Sequence, residues 1–219
     1  MGDPLERQAV SARSAERMKF FTDAVVAIAM TLLILPLMES VAEAGRDGVT
    51  TTDYLSEHGG QLFSFALSFV IIASFWAGHH SLFEHVERYS VRLVWLNIAW
   101  MFTIVWLPVP TAMVGSMAED GPQKAVYIGT LLVSSAVMVV INLVLLRTPD
   151  LWVPDYPPRQ GDLTAAIVLT LLFGVALVLA LVIPGAGYYP MFVLFLTGPL
   201  QALLSRRRNR GGEAQRADG

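Results

Sequence analysis

The side chains in this chain that could do chemistry are few, and they gather at one depth. Asp23, His79, His80, Glu84, His85 and Asn97 lie within or just beside long apolar runs. A polar group inside hydrocarbon is costly unless it finds a partner, so such residues are expected either to serve function or to bond to one another. Asp23 lies six residues past Arg17, ~9 Å deeper at ~1.5 Å of rise per residue. His79 stands five residues before Glu84 and Asn97 five beyond Arg92, each ~7.5 Å in. Three polar side chains on three consecutive helices therefore reach one level, which predicts a hydrogen-bonded structural clamp of Asp23, His79 and Asn97. Two simpler pairings stay open: Asp23 with Lys19 one turn back, and His80 extended towards the headgroups.

Other chemistries are poorly supplied. His79, His80, Glu84 and His85 are metal-ligating types, but adjacent histidines point about 100° apart on a helix. Glu84 and His85 also fall where a solvated turn should begin, so neither a metal site nor a cofactor is expected. No nucleophile is paired with a buried base. Ser134 and Ser135 are expected to pack between helices, and no catalytic residue is assigned. The 219 residues contain no cysteine, which excludes disulfides and thiolate ligands.

The elements that hold these residues are membrane spans. The chain is 54% hydrophobic and 15% charged, with a mean hydropathy of +0.55, too apolar for an ordinary soluble domain. A span needs roughly 20 mostly apolar residues. Six such runs occur, near 18–38, 61–83, 93–117, 124–146, 163–184 and 187–205, and they define an all-α integral membrane protein. Pro184-Gly185-Ala186-Gly187 joins the last two as a hairpin turn, and Pro149, Pro154, Pro157 and Pro158 mark an extended linker. Residues 1–16 form an N-terminal arm, 17–205 the six-helix domain, and 206–219 an Arg-rich tail expected to be disordered. Residues 1–19 lack the apolar core of a signal peptide.

Charge sets the orientation. Thirteen of the fifteen Lys and Arg residues fall on the N-terminal arm, the 84–92 turn, the 147–162 linker and the tail. Only Arg46 and Lys124 fall on the other face, so both termini are expected in the cytoplasm. The run Arg206–Arg208 reads as a positive-inside anchor. The opposite face carries Glu39, Glu43, Asp47, Asp53, Glu57, Glu119 and Asp120, an acidic rim that would concentrate cations within ~8–10 Å.

In the first span, Ala24, Ile28, Thr31 and Leu35 advance by four, three and four residues and so share one narrow stripe. Such a stripe can pack against a neighbouring helix. It can equally form a pore wall, narrowed by apolar side chains and relieved by one hydroxyl ring. Spacing leaves both open.

The segment Arg17-x-x-x-Phe21-Thr22-Asp23, followed by Ala-Val-Val-Ala-Ile-Ala-Met-Thr-Leu-Leu-Ile-Leu-Pro-Leu, resembles the signature of the transmembrane protein 175 family. These are the endosomal and lysosomal potassium channels and their bacterial relatives. Phe75-Trp76-Ala77-Gly78-His79-His80 is similar to the family's second-helix pattern. The resemblance implies a potassium-permeable cation channel, homo-oligomeric with four subunits, whose first helices line the pore. It places the innermost apolar constriction on Ile28, a threonine ring on Thr31 and a further apolar layer on Leu35, with Ala24 on the same stripe. It assigns Arg17, Phe21, Thr22 and Asp23 to the motif that fixes the first helix, with His79 and Asn97 as partners. Thr22 departs from the family's serine, and Ile28 stands where bacterial relatives often have leucine. A bacterial cell membrane is the expected location.

A carbonyl filter needs a Thr-Val-Gly-Tyr-Gly-like loop, and none is present; Gly185-Ala186-Gly187-Tyr188-Tyr189 reads as a turn. The alternative, a secondary transporter or permease for a small cation, calls for repeats and broken helices with charge near the midplane. The motif occurs once, and the middle of every span is free of charge.

Overall fold

A computed structural model describes the backbone of residues 4–153 and 160–183 and of Tyr188, with side chains for 15–153, 161–183 and Tyr188. The expected sixth span, the Pro184–Gly187 turn, Pro154 to Arg159 of the linker and the Arg-rich tail lie outside the described residues.

The described chain folds as helices α1 (Pro4–Leu32), α2 (Leu35–Arg46), α3 (Thr51–Glu57), α4 (Gly59–Phe83), α5 (Val91–Trp106), α6 (Pro108–Ser116), α7 (Gly121–Arg147) and α8 (Gln160–Val182), with a 3₁₀ turn at Pro149–Leu151. Grouped by continuity they make five rods long and apolar enough to cross a membrane: Ala15–Arg46, Gly59–Phe83, Val91–Ser116, Gly121–Arg147 and Gly161–Val182. These coincide with the first five expected spans.

Proline shapes two of the rods. Pro36 has no N–H, so the Leu32 carbonyl loses its usual donor four residues on. The chain tightens there, with Ile34 N–H bonding to the Thr31 carbonyl at 3.3 Å, and restarts as α2 with the proline in its first turn. Pro108 does the same between α5 and α6, where Leu107 N–H turns back to the Ile104 carbonyl at 3.2 Å. The first rod runs two turns past the expected end at residue 38, because Glu39 to Ala44 are helix-tolerant residues and nothing stops them before Gly48, at φ 69°. Side-chain caps start two of the other rods: Ser90 accepts from Leu93 N–H at 3.2 Å and Asp120 from Gln123 N–H at 2.8 Å.

α1 packs against α4 and α5, α4 against α6, and α7 against α5, α6 and α8. α1 and α8 therefore flank a central group, and one side of α1 has no neighbour among the described residues. The core between them holds Ile72, Phe83, Leu93, Trp100, Ile104, Tyr127 and Phe173. Large apolar side chains on the outside, such as Val91, Trp95 and Phe102 of α5, are what a surface bathed in hydrocarbon requires.

The loops meet in two groups, one at each end. At one end Lys19 Nζ donates to the Glu84 carbonyl at 2.9 Å, and the α4–α5 turn pairs with the linker after α7. Glu87 and Arg88 N–H donate to the Leu151 carbonyl at 2.9 and 3.3 Å, and Val153 N–H donates to the His85 carbonyl at 3.0 Å. At the other end Gln61 Nε2 donates to the Pro36 carbonyl at 3.3 Å and approaches Ser116 Oγ at 3.4 Å. The arm, the 84–92 turn and the start of the linker thus share one end, as the charge distribution requires.

Candidate pore helix and its interhelical clamp

α1 buries one face and exposes the other. Thr22, Val26 and Ala29 are buried on the side that packs against α4 and α5, and Leu33 is buried at the break in the rod and Leu37 just past it. Ala24, Ile28, Thr31 and Leu35 are all exposed, Ile28 at 59% and Leu35 at 51%. The stripe singled out by its spacing is therefore not a packing surface among the described residues. Thr31 turns its hydroxyl back onto the Ile28 carbonyl at 2.7 Å, leaving its oxygen lone pairs on the exposed side.

The rotation of α1 is pinned by a relay of hydrogen bonds. His79 Nε2–H donates to Asn97 Oδ1 at 2.7 Å, Asn97 Nδ2 donates to Thr22 Oγ1 at 2.8 Å, and Thr22 Oγ1 donates to the Met18 carbonyl at 2.9 Å. Each group is donor to the next, so every member of this buried chain is satisfied. The His79 ring is clamped between Phe83 and Trp100, both stacked at 4.2 Å. Trp100 Nε1 and Ser134 Oγ are the buried side-chain polar atoms without a partner among the described residues. Ser135, also buried, bonds to the Leu132 carbonyl at 2.9 Å.

His79 and Asn97 of the expected clamp are bonded to each other, and the third member of the relay is a neighbour of Asp23. Thr22, and not Asp23, joins His79 and Asn97. Asp23 turns to the adjacent side of α1, where Trp76 Nε1 donates to its Oδ1 at 2.8 Å and His80 Nδ1 stands 3.6 Å from the same oxygen. Lys19 bonds to the Glu84 carbonyl instead of Asp23. The exchange has a simple cause: residues 22 and 23 differ by ~1.5 Å in depth but ~100° in direction, and depth alone cannot choose between them. Arg17 and Phe21 are exposed, Phe21 at 57%, so the motif divides between two faces: Thr22 is buried and Asp23 half-buried.

Three features escaped the sequence reading. Trp76, the donor to Asp23, lay inside the Phe75–His80 pattern without a role. Gln61 holds the Pro36 carbonyl where the first rod breaks. Ser68 bonds with the Tyr127 hydroxyl at 2.9 Å and accepts from Thr111 Oγ1 at 2.9 Å, tying α4, α6 and α7 together. Their signal was the recurrence of single hydroxyl or amide residues within apolar spans, which pays off only when partners can be paired across helices. At the far side of the clamp, Tyr89 stacks on Phe83 at 5.7 Å, and burial pushes its phenol well above the usual range, which keeps it neutral.

Residues 17–108 match the family of the endosomal/lysosomal potassium channel TMEM175. A potassium channel of Streptomyces collinus is 32% identical over 127 residues, covering 58% of this chain and 59% of that protein. A potassium channel of a Chryseobacterium species is 25% identical over 130 residues, covering 59% and 64%. Each alignment thus spans less than two thirds of its bacterial relative. The endosomal/lysosomal proton channel TMEM175 of Gallus gallus is 34% identical over 111 residues, 22% of its length. In three dimensions the chain superposes on the crystal structure of a lysosomal potassium-selective channel TMEM175 homolog from Chamaesiphon minutus. The TM-score is 0.66 at 21% identity, over 88% of this chain and 98% of that one. The motif-bearing segment and the fold point the same way: residues 17–108 are similar to the TMEM175 family, and the chain shares the fold of a solved TMEM175 homolog.

Proposed function

We propose that this chain is one subunit of a potassium-permeable cation channel, a homotetramer whose first helices surround a central pore. The observation that carries the reading is the exposed stripe Ala24, Ile28, Thr31 and Leu35 on a helix whose opposite face is fully engaged. One copy supplies one wall, so a closed pathway needs several copies about an axis. Ile28 forms the narrowest apolar layer, Thr31 offers hydroxyl oxygens one turn on, and Leu35 forms a second apolar layer. Selectivity then arises from dehydration at apolar side chains and not from a ring of carbonyls. The names of the bacterial relatives, both potassium channels, support potassium as the ion. The protein is not an enzyme. It lies in the plasma membrane of a bacterium with both termini, the arm 1–16 and the tail 206–219, in the cytoplasm. No metal or cofactor is required for this role.

Reconstitution into liposomes with opposed potassium and sodium gradients tests the reading. A potassium-driven flux with a reversal potential displaced towards the potassium equilibrium value is expected. Absence of any cation flux from a correctly assembled oligomer would overturn it.

A further inference from the structure

The exposed stripe of α1 does not end at Ala24. Continued at alternating steps of four and three residues it runs Arg17, Phe21, Ala24, Ile28, Thr31, Leu35, Met38 and Ala42, and all eight are exposed. A repeat of 3.5 residues kept over this length is the pattern of a seam between helices that wind about one another. Lipid imposes no such period, and it would not favour Arg17 and Thr31 in the same row. Among the described residues nothing covers the seam, and α1 is already engaged on its other side by α4 and α5. The occupant is another copy of α1.

Phe21 is the member of this row that the motif had assigned to holding the helix in place. It does not do that: it is 57% exposed, while its neighbours in sequence do the holding. Thr22 is fixed by Asn97 at 2.8 Å and Asp23 by Trp76 at 2.8 Å. Two bonds immediately beside Phe21, directed to two different helices, set the rotation of α1 at this level and direct the phenyl ring out of the subunit.

We infer that Phe21 of each copy converges on the axis as a second apolar constriction, two turns before Ile28 at the end of the bundle that holds the α4–α5 turn. This rests on the channel reading above. An aromatic ring there would exclude water and narrow the entrance in the same manner as the Ile28 layer. The next row member outward, Arg17, places a positive charge before it. Phe20 is the internal control. It lies within ~1.5 Å of the same depth and is 64% exposed, but it points ~100° away from Phe21.

Two measurements test this, one of which needs no current. Single cysteines at positions 20 and 21 of the cysteine-free protein are oxidised in the assembled oligomer. Only a side chain near the symmetry axis meets its own copy, so Phe21→Cys is expected to give a covalent dimer and Phe20→Cys is not. In planar bilayers Phe21→Ala is expected to raise potassium conductance about twofold or more, with Phe21→Leu between it and wild type and Phe20→Ala unchanged. A wild type that conducts potassium, no trapping at position 21 and unchanged conductance in Phe21→Ala would sink the aromatic constriction and leave the channel intact. Trapping at 21 in an oligomer that passes no cation would leave the convergence of Phe21 standing while the channel reading falls.

Discussion

Two residues one turn and a half apart on the first helix have opposite duties. Leu33 is 2% exposed and packs into the core, whereas Ile28 is 59% exposed on the outer stripe. Leu33→Ala should therefore lower stability by ~2–5 kcal/mol and leave ion preference unchanged, read as a drop in the detergent melting temperature with an unaltered bi-ionic reversal potential. Ile28→Asn should do the reverse, wetting the neck, raising conductance and letting sodium compete better with potassium. If Leu33→Ala shifts the reversal potential and Ile28→Asn does not, the wrong face has been taken for the pore. The clamp gives a second contrast. Asn97→Ala strands the buried His79 and Thr22, a loss of ~1–3 kcal/mol, while Trp76→Phe removes only the donor to the half-buried Asp23 and should cost less. Thermal unfolding of the assembled oligomer ranks the two. This ranking could not be read from the sequence. The depth of Asp23, His79 and Asn97 was legible, but the choice of Thr22 over Asp23 depends on helix rotation, which only the packed neighbours fix.

At the level of helices, length and apolarity were enough to find the five described rods, because a run of about 20 apolar residues satisfies its own backbone in hydrocarbon as a helix. The ends were less legible. The first rod passes through the Leu33–Ile34 break and on to Arg46, since a proline in the first turn of a new helix need not end the old direction. Close helix approach was not legible either. A Cβ on Gly115 would stand 2.9 Å from Ser64 Oγ and 3.3 Å from Gln61 Cα, so α6 crosses α4 closely enough that a larger residue there makes Ser64 and Gln61 shift. Gly115→Ala should push this crossing apart, loosening Gln61 from the Pro36 carbonyl. The expected result is a lower melting temperature and a smaller fraction of assembled oligomer on size exclusion. An unchanged melting temperature would mean that Ser64 and Gln61 yield without loss.

For the whole molecule, the two groups of loops make orientation testable. Single cysteines at Thr51 and Gly211 should label differently with an impermeant maleimide in intact cells, Thr51 strongly and Gly211 weakly. The reverse pattern would invert the topology drawn from charge. The end of the bundle that holds the α4–α5 turn has one more consequence. Lys19 grips the carbonyl of Glu84, and the same turn is stitched to the segment after α7 through Leu151 and His85. The first helix and the start of the linker are therefore joined through a shared set of hydrogen bonds. By thermodynamic reciprocity, if a ligand bound at the first helix changes the affinity of the linker for a second ligand, the second changes the affinity for the first by the same factor. Amide exchange offers a direct view of this coupling. Lys19→Met should hasten deuterium uptake not only at Glu84 but at Glu87 and Val153, which Lys19 never touches.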